Sequence, residues 1–214
     1  MITSDSKTFD PVEAWCALQS IGLTRTSQIQ TTPILNHEIP ATDWIFFSSP
    51  RGAALYVKNY PIKAKKIAVY GQGTQAEIIK ANYRIDFIGK TDESSSTLGR
   101  HFANQIGPEE TVLFPLSDRS LKSIFKEISP KQRVEIKTYH TGLTPTQFDN
   151  SPSIILFTSP SNFESYTSVN PIDPTTLIVA IGSSTEKKIA RKYKVDFVLE
   201  TPTSQAFITL LESI

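Results

Sequence analysis

Residues 44–57 read WIFFSSPRGAALYV and residues 154–167 read IILFTSPSNFESYT. Phe47, Ser49 and Pro50 fall on Phe157, Ser159 and Pro160 at an offset of 110. Further on, IAVYGQGTQAEIIKANYRIDF at 67–87 meets LIVAIGSSTEKKIARKYKVDF at 177–197. There Gly71 and Thr74 fall on Gly182 and Thr185 at an offset of 111, while Tyr83, Asp86 and Phe87 return to 110 against Tyr193, Asp196 and Phe197. Ordered matches across three motifs identify one unit carried twice, with a one-residue slip expected inside the intervening helix.

Each motif has the same physical order: a short apolar run, then small hydroxyl or glycine residues, then a helical pattern. The runs IFF, IILF, IAVY and LIVAI are continuous rather than alternating, which predicts parallel strands buried on both faces. SSP, TSPS, GQGT and GSST supply capping hydroxyls or a permissive glycine just ahead of helices. Strands alternating with helices predict an α/β fold, two similar domains with parallel sheets flanked by helices. Ligands of such sheets bind outside the carboxyl ends of the strands, where these turns lie.

The first unit continues through VLFPLSDRSLKSIFKEI, a further strand, turn and helix, and then VEIKTY, whereas the second stops at Ile214. Its missing piece is expected from the N-terminal run MITSDSKTFDPVEAWCALQSIGL, which has the same order of strand, Ser-Asp turn and helix. The plan is therefore a discontinuous domain one, 1–35 plus 142–214, and a continuous domain two, 41–133, with linkers at 36–40 and 134–141. Two linkers favour a hinged pair with a cleft between the lobes. The Pro- and Ser-rich stretch 144–153 reads as a surface loop.

Composition narrows the function. The 214 residues are 39% hydrophobic and 20% charged, with a net charge of +1, which argues against a dominant electrostatic footprint for nucleic acid or a membrane surface. The basic stretch Lys187, Lys188, Arg191 and Lys192 reads as a solvated helix face. One cysteine, Cys16, excludes an intrachain disulfide framework and fits a reducing compartment. MITSDSKTF has no basic segment followed by an apolar run, and no apolar stretch nears the roughly 18 residues of a membrane span, so the cytoplasm is the expected location. His37, His101 and His140 lack metal-ligand spacing, and no metal site is expected. No G-x-G-x-x-G or G-x-x-x-x-G-K-[ST] occurs. Ser49 and Ser159 sit outside any G-x-S-x-G, with no His-Asp pair identifiable as an activating partner.

What remains is a set of polar helix starts: Ser48-Ser49, Gly71 to Thr74, Ser117-Asp118, Thr158 to Ser161, and Gly182 to Thr185, expected to face one cleft. Free N–H groups at helix N-termini, with nearby hydroxyls, hold carboxylates, each worth about 0.3–1 kcal/mol through the helix dipole. Taken singly, each hydroxyl could equally do no more than cap its own helix. Arg51 is close enough to the first of these turns to pair with a carboxylate, or it covers its own helix.

The pair IFFSSPRGA and ILFTSPSNF, with LFPLSD, TYHT, AIGSST and ETPTSQA, resembles the uroporphyrinogen-III synthase family through nearly the whole chain. The resemblance implies two α/β domains on a two-stranded linker and a cofactor-independent lyase of tetrapyrrole (haem) biosynthesis. Its substrate would be hydroxymethylbilane, a linear tetrapyrrole with eight carboxylates, dehydrated and cyclised to uroporphyrinogen III with inversion of the last pyrrole ring. A monomer is expected. Electron-rich pyrroles drive that chemistry, so the protein's main task would be positioning. Tyr139 matches the family's tyrosine proposed to assist loss of the hydroxyl, or it is a linker aromatic packed at the domain junction; His140 beside it is expected to be solvated. Ser49, Thr158, Ser159, Ser161, Ser184 and Thr185 match the family's helix-start hydroxyls and stand as substrate-binding candidates, with Ser48, Arg51, Gly71, Thr74, Ser117 and Gly182.

The chain departs from the family at its start, where a strand ending in Thr-Arg is common; here Ile2-Thr3-Ser4-Asp5 leaves Lys7 as the nearest cation. Ser48 stands where threonine is common and keeps the hydroxyl. Hinged α/β lobes also close on ligands without chemistry, so a non-catalytic two-lobed small-molecule binding or sensor module is the alternative.

Overall fold

The computed structural model describes residues 1–35, 37–90 and 93–214. In chain order a 3-10 turn, Lys7–Phe9, leads into α1 (Asp10–Leu18) and β1 (Ile29–Pro33). Then come β2 (Trp44–Phe47), α2 (Pro50–Asn59), β3 (Lys66–Tyr70), α3 (Gln72–Lys80), β4 (Phe87–Gly89) and α4 (Ser95–Ala103). β5 (Val112–Ser117), α5 (Ser123–Glu127) and β6 (Arg133–Leu143) follow. The chain ends with β7 (Ile154–Phe157), α6 (Pro160–Val169), β8 (Leu177–Ala180), α7 (Ser183–Ile189), β9 (Phe197–Val198) and α8 (Ser204–Ser213). It divides into unit 1, Met1–Gln30 with Gly142–Ile214, and unit 2, Thr31–Thr141.

In unit 2 the strand order is β6-β5-β2-β3-β4, with every one of these neighbours parallel. Both faces are covered, which explains why all of WIFF and VLFPLS is buried. One face packs Ile45, Phe47 and Val69 against Ala53 and Tyr56 of α2 and Ile78 of α3. The other packs Trp44, Phe46 and Phe114 against Leu98 and Phe102 of α4 and Ile124 of α5. A buried aromatic side chain contributes about 1.5–3 kcal/mol through area alone, and Phe102 adds ring contacts with Trp44, Phe46 and Phe87.

Unit 1 repeats the plan in a smaller sheet, β7-β8-β9, again parallel. Ile2 forms parallel bridges to Leu156 of β7 and to Arg25, so two N-terminal pieces extend the sheet beyond β7. They lie where β5 and β6 lie beside β2 in unit 2. Ile2, Phe9, Val12 and Cys16 close one face of this core with Leu156, Val179 and Phe207. Phe157, Phe163, Tyr166 and Ile189 close the other.

The chain passes between the units in β1 and β6, which are neighbours in the sheet. Ile34 N–H bonds to the Thr138 carbonyl and Thr144 N–H to that of Gln28; one number rises as its partner falls, so the two strands are antiparallel. The linker expected at 134–141 lies within β6 (Arg133–Leu143), while β1 ends at Pro33, ahead of the linker expected at 36–40. Residues 144–153 carry no helix or strand.

The helix starts differ from the sequence reading at two places. Ser117 ends β5 rather than opening a helix, since α5 begins only at Ser123 after Lys122 in the left-handed conformation. The Asp118 carboxylate is used on β6 instead, accepting from Thr141 N–H. At the N-terminus Ser6 caps the 3-10 turn, and α1 starts at Asp10, with Pro11 in its first turn.

Candidate functional site

In unit 2 the N-termini of α2 and α3 lie side by side at the carboxyl ends of β2 and β3. A Cβ built on Gly73 would sit 3.0 Å from Cγ of Pro50, so the two turns touch. Ser49 caps α2, its hydroxyl accepting Gly52 N–H at 3.2 Å. Ser48, just ahead, is exposed, and Arg51 lies in the first turn. α3 has no side-chain cap: Gly71 precedes it at φ 84°, ψ 147°, a region essentially limited to glycine. Thr74 is buried and its hydroxyl has no hydrogen-bond partner. This turn therefore presents backbone N–H groups, which a helix start leaves without intrahelical acceptors.

Tyr139 completes this group. Up to Leu116 opposite Lys137 the β5–β6 pairing is regular, and then Ser117 faces Tyr139, so Thr138 is the extra residue on β6. Side chains alternate along a strand, and Val134 and Ile136 pack on the α2 face. The register shift returns Tyr139 to that same face in spite of its odd spacing, as such irregularities do when they re-aim a side chain. Its ring lies against Gly52: a Cβ on that glycine would be 2.9 Å from Cε1 and 3.0 Å from the phenol oxygen. Ser117, buried, is its partner across the strands.

His140 takes the opposite face, where its Nδ1 is 3.1 Å from Oδ2 of Asp118. The other Asp118 oxygen accepts Thr141 N–H at 3.0 Å. Burial opposes ionisation of Asp118, but the Thr141 N–H and the His140 ring, with the charge of Arg119, outweigh it and hold the carboxyl below its ordinary value. His140 is thus paired, though its side chain stays 59% exposed. A His-Asp pair is formed by residues 22 positions apart, while the Ser49 hydroxyl caps α2 by accepting Gly52 N–H.

Unit 1 builds the corresponding turn differently. Ser159 caps α6 by accepting Asn162 N–H at 3.1 Å. The Asn162 amide donates to both Thr158 and Ser159 hydroxyls, and its oxygen accepts Gln28 N–H at 2.9 Å. Thr158 is further tied to Thr3, donating its hydroxyl to the Thr3 carbonyl at 2.7 Å while its N–H donates to the Thr3 hydroxyl. Ser161 is half-buried in the first turn. At α7, Gly182 is the capping position in an extended conformation; Ser184 is exposed and Thr185 is buried. Lys188 bridges to Glu164 of α6 at 3.0 Å.

Asn162 and Gly52 are residues that sequence reasoning passes over, and Asp118, read there as part of a helix start, takes a different use. Asn162 has a signal, a polar residue three positions after the Ser159 cap. So does Gly52, an isolated glycine in a helical pattern. The partnership of Asp118 with β6 has none. Where the N-terminal Thr-Arg is absent, Arg25, at its bridge to Ile2, reaches the segment, donating to the Ser6 carbonyl at 2.7 Å and pairing with Asp10 and Glu13. Among the described residues no group of three or more His, Cys, Asp or Glu is arranged to hold a metal ion, and no helix is long and apolar enough to cross a membrane.

The profile of the family described as uroporphyrinogen-III synthase HemD matches residues 19–209. Among solved structures, uroporphyrinogen-III synthetase from Helicobacter pylori 26695 is similar with a TM-score of 0.67 at 14% identity, over 88% of this chain and 92% of that one. A mutant uroporphyrinogen III synthase from the extremely thermophilic bacterium Thermus thermophilus gives a TM-score of 0.57 at 10% identity, over 100% of this chain and 98% of that one. At such identities the likeness is one of fold. No curated protein sequence matches the chain.

Proposed function

Because the chain belongs to the uroporphyrinogen-III synthase family, an enzyme family of tetrapyrrole biosynthesis acting on hydroxymethylbilane, we propose that Tyr139 is its proton donor and that the helix starts of each unit hold the substrate's carboxylates. The observation that carries this reading is the seat of Tyr139: its phenol lies on the first turn of α2, beside the cap at Ser49 and next to the start of α3.

Loss of water from the hydroxymethyl carbon needs a proton delivered to the departing oxygen, and a positioned acid contributes about 10²–10⁴ in rate. The phenol O–H supplies that proton, the C–O bond breaks, and water leaves. The electron-rich last ring then attacks the freed exocyclic carbon through its substituted carbon, forming the spiro intermediate. The substituted carbon's bond to the bridging methylene breaks and re-forms at the ring's other α carbon, which inverts the ring. The proton lost there as the ring regains aromaticity restores the phenol. Holding the chain so that the substituted carbon reaches the exocyclic carbon is catalysis by positioning.

The exposed hydroxyls Ser48 and Ser184, and the N–H groups at Gly71 to Gly73 and Gly182 to Ser184, suit carboxylates. Thr74 and Thr185 shape these turns, their N–H groups donating to the Gly71 and Gly182 carbonyls and their side chains being buried. Ser49, Thr158 and Ser159 serve chiefly to shape their turns, while Ser117, Ser161 and Arg51 line them. A cytoplasmic monomer completes the reading; Cys16 is a free, buried thiol, as suits a reducing compartment.

The test is incubation with freshly generated hydroxymethylbilane, oxidation, and chromatographic separation of the isomers. Excess III isomer over the blank is expected. Only the symmetric I isomer, which forms spontaneously, would favour a binding module. Tyr139→Phe is expected to lower kcat about 100-fold with an unchanged melting temperature; an unchanged rate removes the proton-donor role.

A further inference from the structure

We propose that Gly52 is a positioning residue for Tyr139: the missing side chain at this point of α2 is what lets the phenol rest on the helix's first turn. The inference relies on the proton-donor role of Tyr139 proposed above and names what sets its geometry.

The repeat makes the contrast visible. At the offset of 110, Gly52 falls on Asn162. Both follow a capping serine by three residues, and both donate their N–H to it. In unit 1 the side chain at this position fills the space beside the turn and ties it shut, with bonds to Thr158, Ser159 and Gln28. In unit 2 the space holds the ring of Tyr139. A Cβ on Gly52 would stand 2.9 Å from Cε1, 3.0 Å from the hydroxyl oxygen and 3.2 Å from Cζ. Real Cβ atoms essentially never come within 3.0 Å, as this one would at Cε1, and the other two distances are tighter than most real contacts, so a side chain at 52 displaces the ring's polar end.

Nothing in the backbone asks for glycine here. Gly52 lies in the first turn of a ten-residue helix and is not among the positive-φ glycines. Glycine in a helix is less stable than alanine, through the extra freedom it loses. A residue that weakens its own element and opens room for one functional group is what a site under functional constraint carries.

The experiment compares wild type, Gly52→Ala, Tyr139→Phe and the double variant by steady-state turnover of hydroxymethylbilane and by thermal melting. Gly52→Ala is expected to lower kcat about 10- to 100-fold, the scale of loss from an ångström of misplacement, with KM within about twofold on the same grounds, since binding groups stay in place. In the Tyr139→Phe background the same change is expected to alter kcat by less than about twofold, because the acid it displaces is gone. A merely structural role predicts no such dependence on the phenol. If alanine lowers the melting temperature, Tyr139→Phe should recover part of the loss by removing the crowded oxygen; no recovery overturns the proposal. Wild-type kcat in Gly52→Ala while Tyr139→Phe is slow also overturns it, as does an equal loss in both backgrounds. A fast Tyr139→Phe variant instead overturns the proton-donor reading, whatever Gly52→Ala does.

Discussion

Asn162 uses its whole amide inside unit 1, accepting from Gln28 N–H and donating to the hydroxyls of Thr158 and Ser159. It is 2% exposed, and Gln28 is fully buried, so removing the amide leaves a donor with no water to replace its acceptor. An unsatisfied buried group costs about 1–3 kcal/mol. Asn162→Ala is expected to lower unfolding free energy by about 2–3 kcal/mol in urea titrations, against about 1 kcal/mol for Ser159→Ala, which loses a cap and keeps the amide. An Asn162→Ala loss no larger than that of the cap alone would show that water satisfies Gln28. The two residues at this repeat position, Asn162 and Gly52, illustrate how it diverges: a polar lock in one unit, an opening for a phenol in the other.

The elements show which features of the repeat are physical necessities. Asp86 and Asp196 play one part twice: each accepts the N–H of Ile67 or Ile178 at 2.9 Å and donates its own N–H back to the same residue's carbonyl. The slip between the copies, expected within the helix, lies at its end. Tyr83 N–H bonds to the Ile78 carbonyl around Asn82 in the left-handed conformation, whereas Tyr193 N–H bonds to Ile189 one residue sooner. The glycines ahead of α3 and α7 are likewise unequal. Gly71→Ala, at φ 84°, is expected to cost about 1–3 kcal/mol. Gly182→Ala is expected to change stability by less than about 0.5 kcal/mol, since φ 174° is extended backbone; equal losses in parallel denaturant melts would refute the distinction.

Glu110 organises the approach to β5 by accepting from Lys66, Gly107 N–H and Trp44, in that order of influence, and its pKa is pushed down to about 2. A depressed acid stabilises the fold above its ordinary value of 4.5, and that contribution is lost as pH falls toward 2. With the side chain 27% exposed, solvent screening leaves on the order of 1–2 kcal/mol. Glu110→Gln should therefore lower stability at pH 7 by that amount and flatten the acid limb between pH 4.5 and 2. A limb of unchanged steepness would assign it to other carboxylates.

At the scale of the molecule, unit 2 is one continuous stretch, while unit 1 is assembled from two pieces separated by it. Ile2, Phe9, Val12 and Cys16 supply one side of the core formed with Leu156, Val179 and Phe207, and Ile2 bridges both Leu156 of β7 and Arg25. A fragment spanning 31–141 is expected to unfold cooperatively. A fragment spanning 142–214 is expected to lack a cooperative transition until 1–30 is added, because about 70 residues with half a core bury too little apolar surface. Calorimetry of the separate and mixed fragments decides this, and a cooperative melt for 142–214 alone would assign the N-terminal pieces a lesser role.

Local hydropathy is sufficient for the strand, turn and helix order, the repeat, and the capping serines, because each is written within a dozen neighbouring residues. WIFF and VLFPLS announce burial on both faces whatever packs there, and Ser49 and Ser159 cap helices that begin one residue later. The facing of Tyr139 is of another kind. Strand alternation alone would turn it away from Val134 and Ile136, and only the register against β5, one residue out of step at Thr138, brings it onto α2. That register depends on a neighbouring strand, as does the pairing of Asp118 with His140. The value of a missing Cβ at Gly52 depends on a ring 87 positions away. Tertiary packing alone decides such matters, because sequence periodicity fixes the direction of a side chain only relative to its own element.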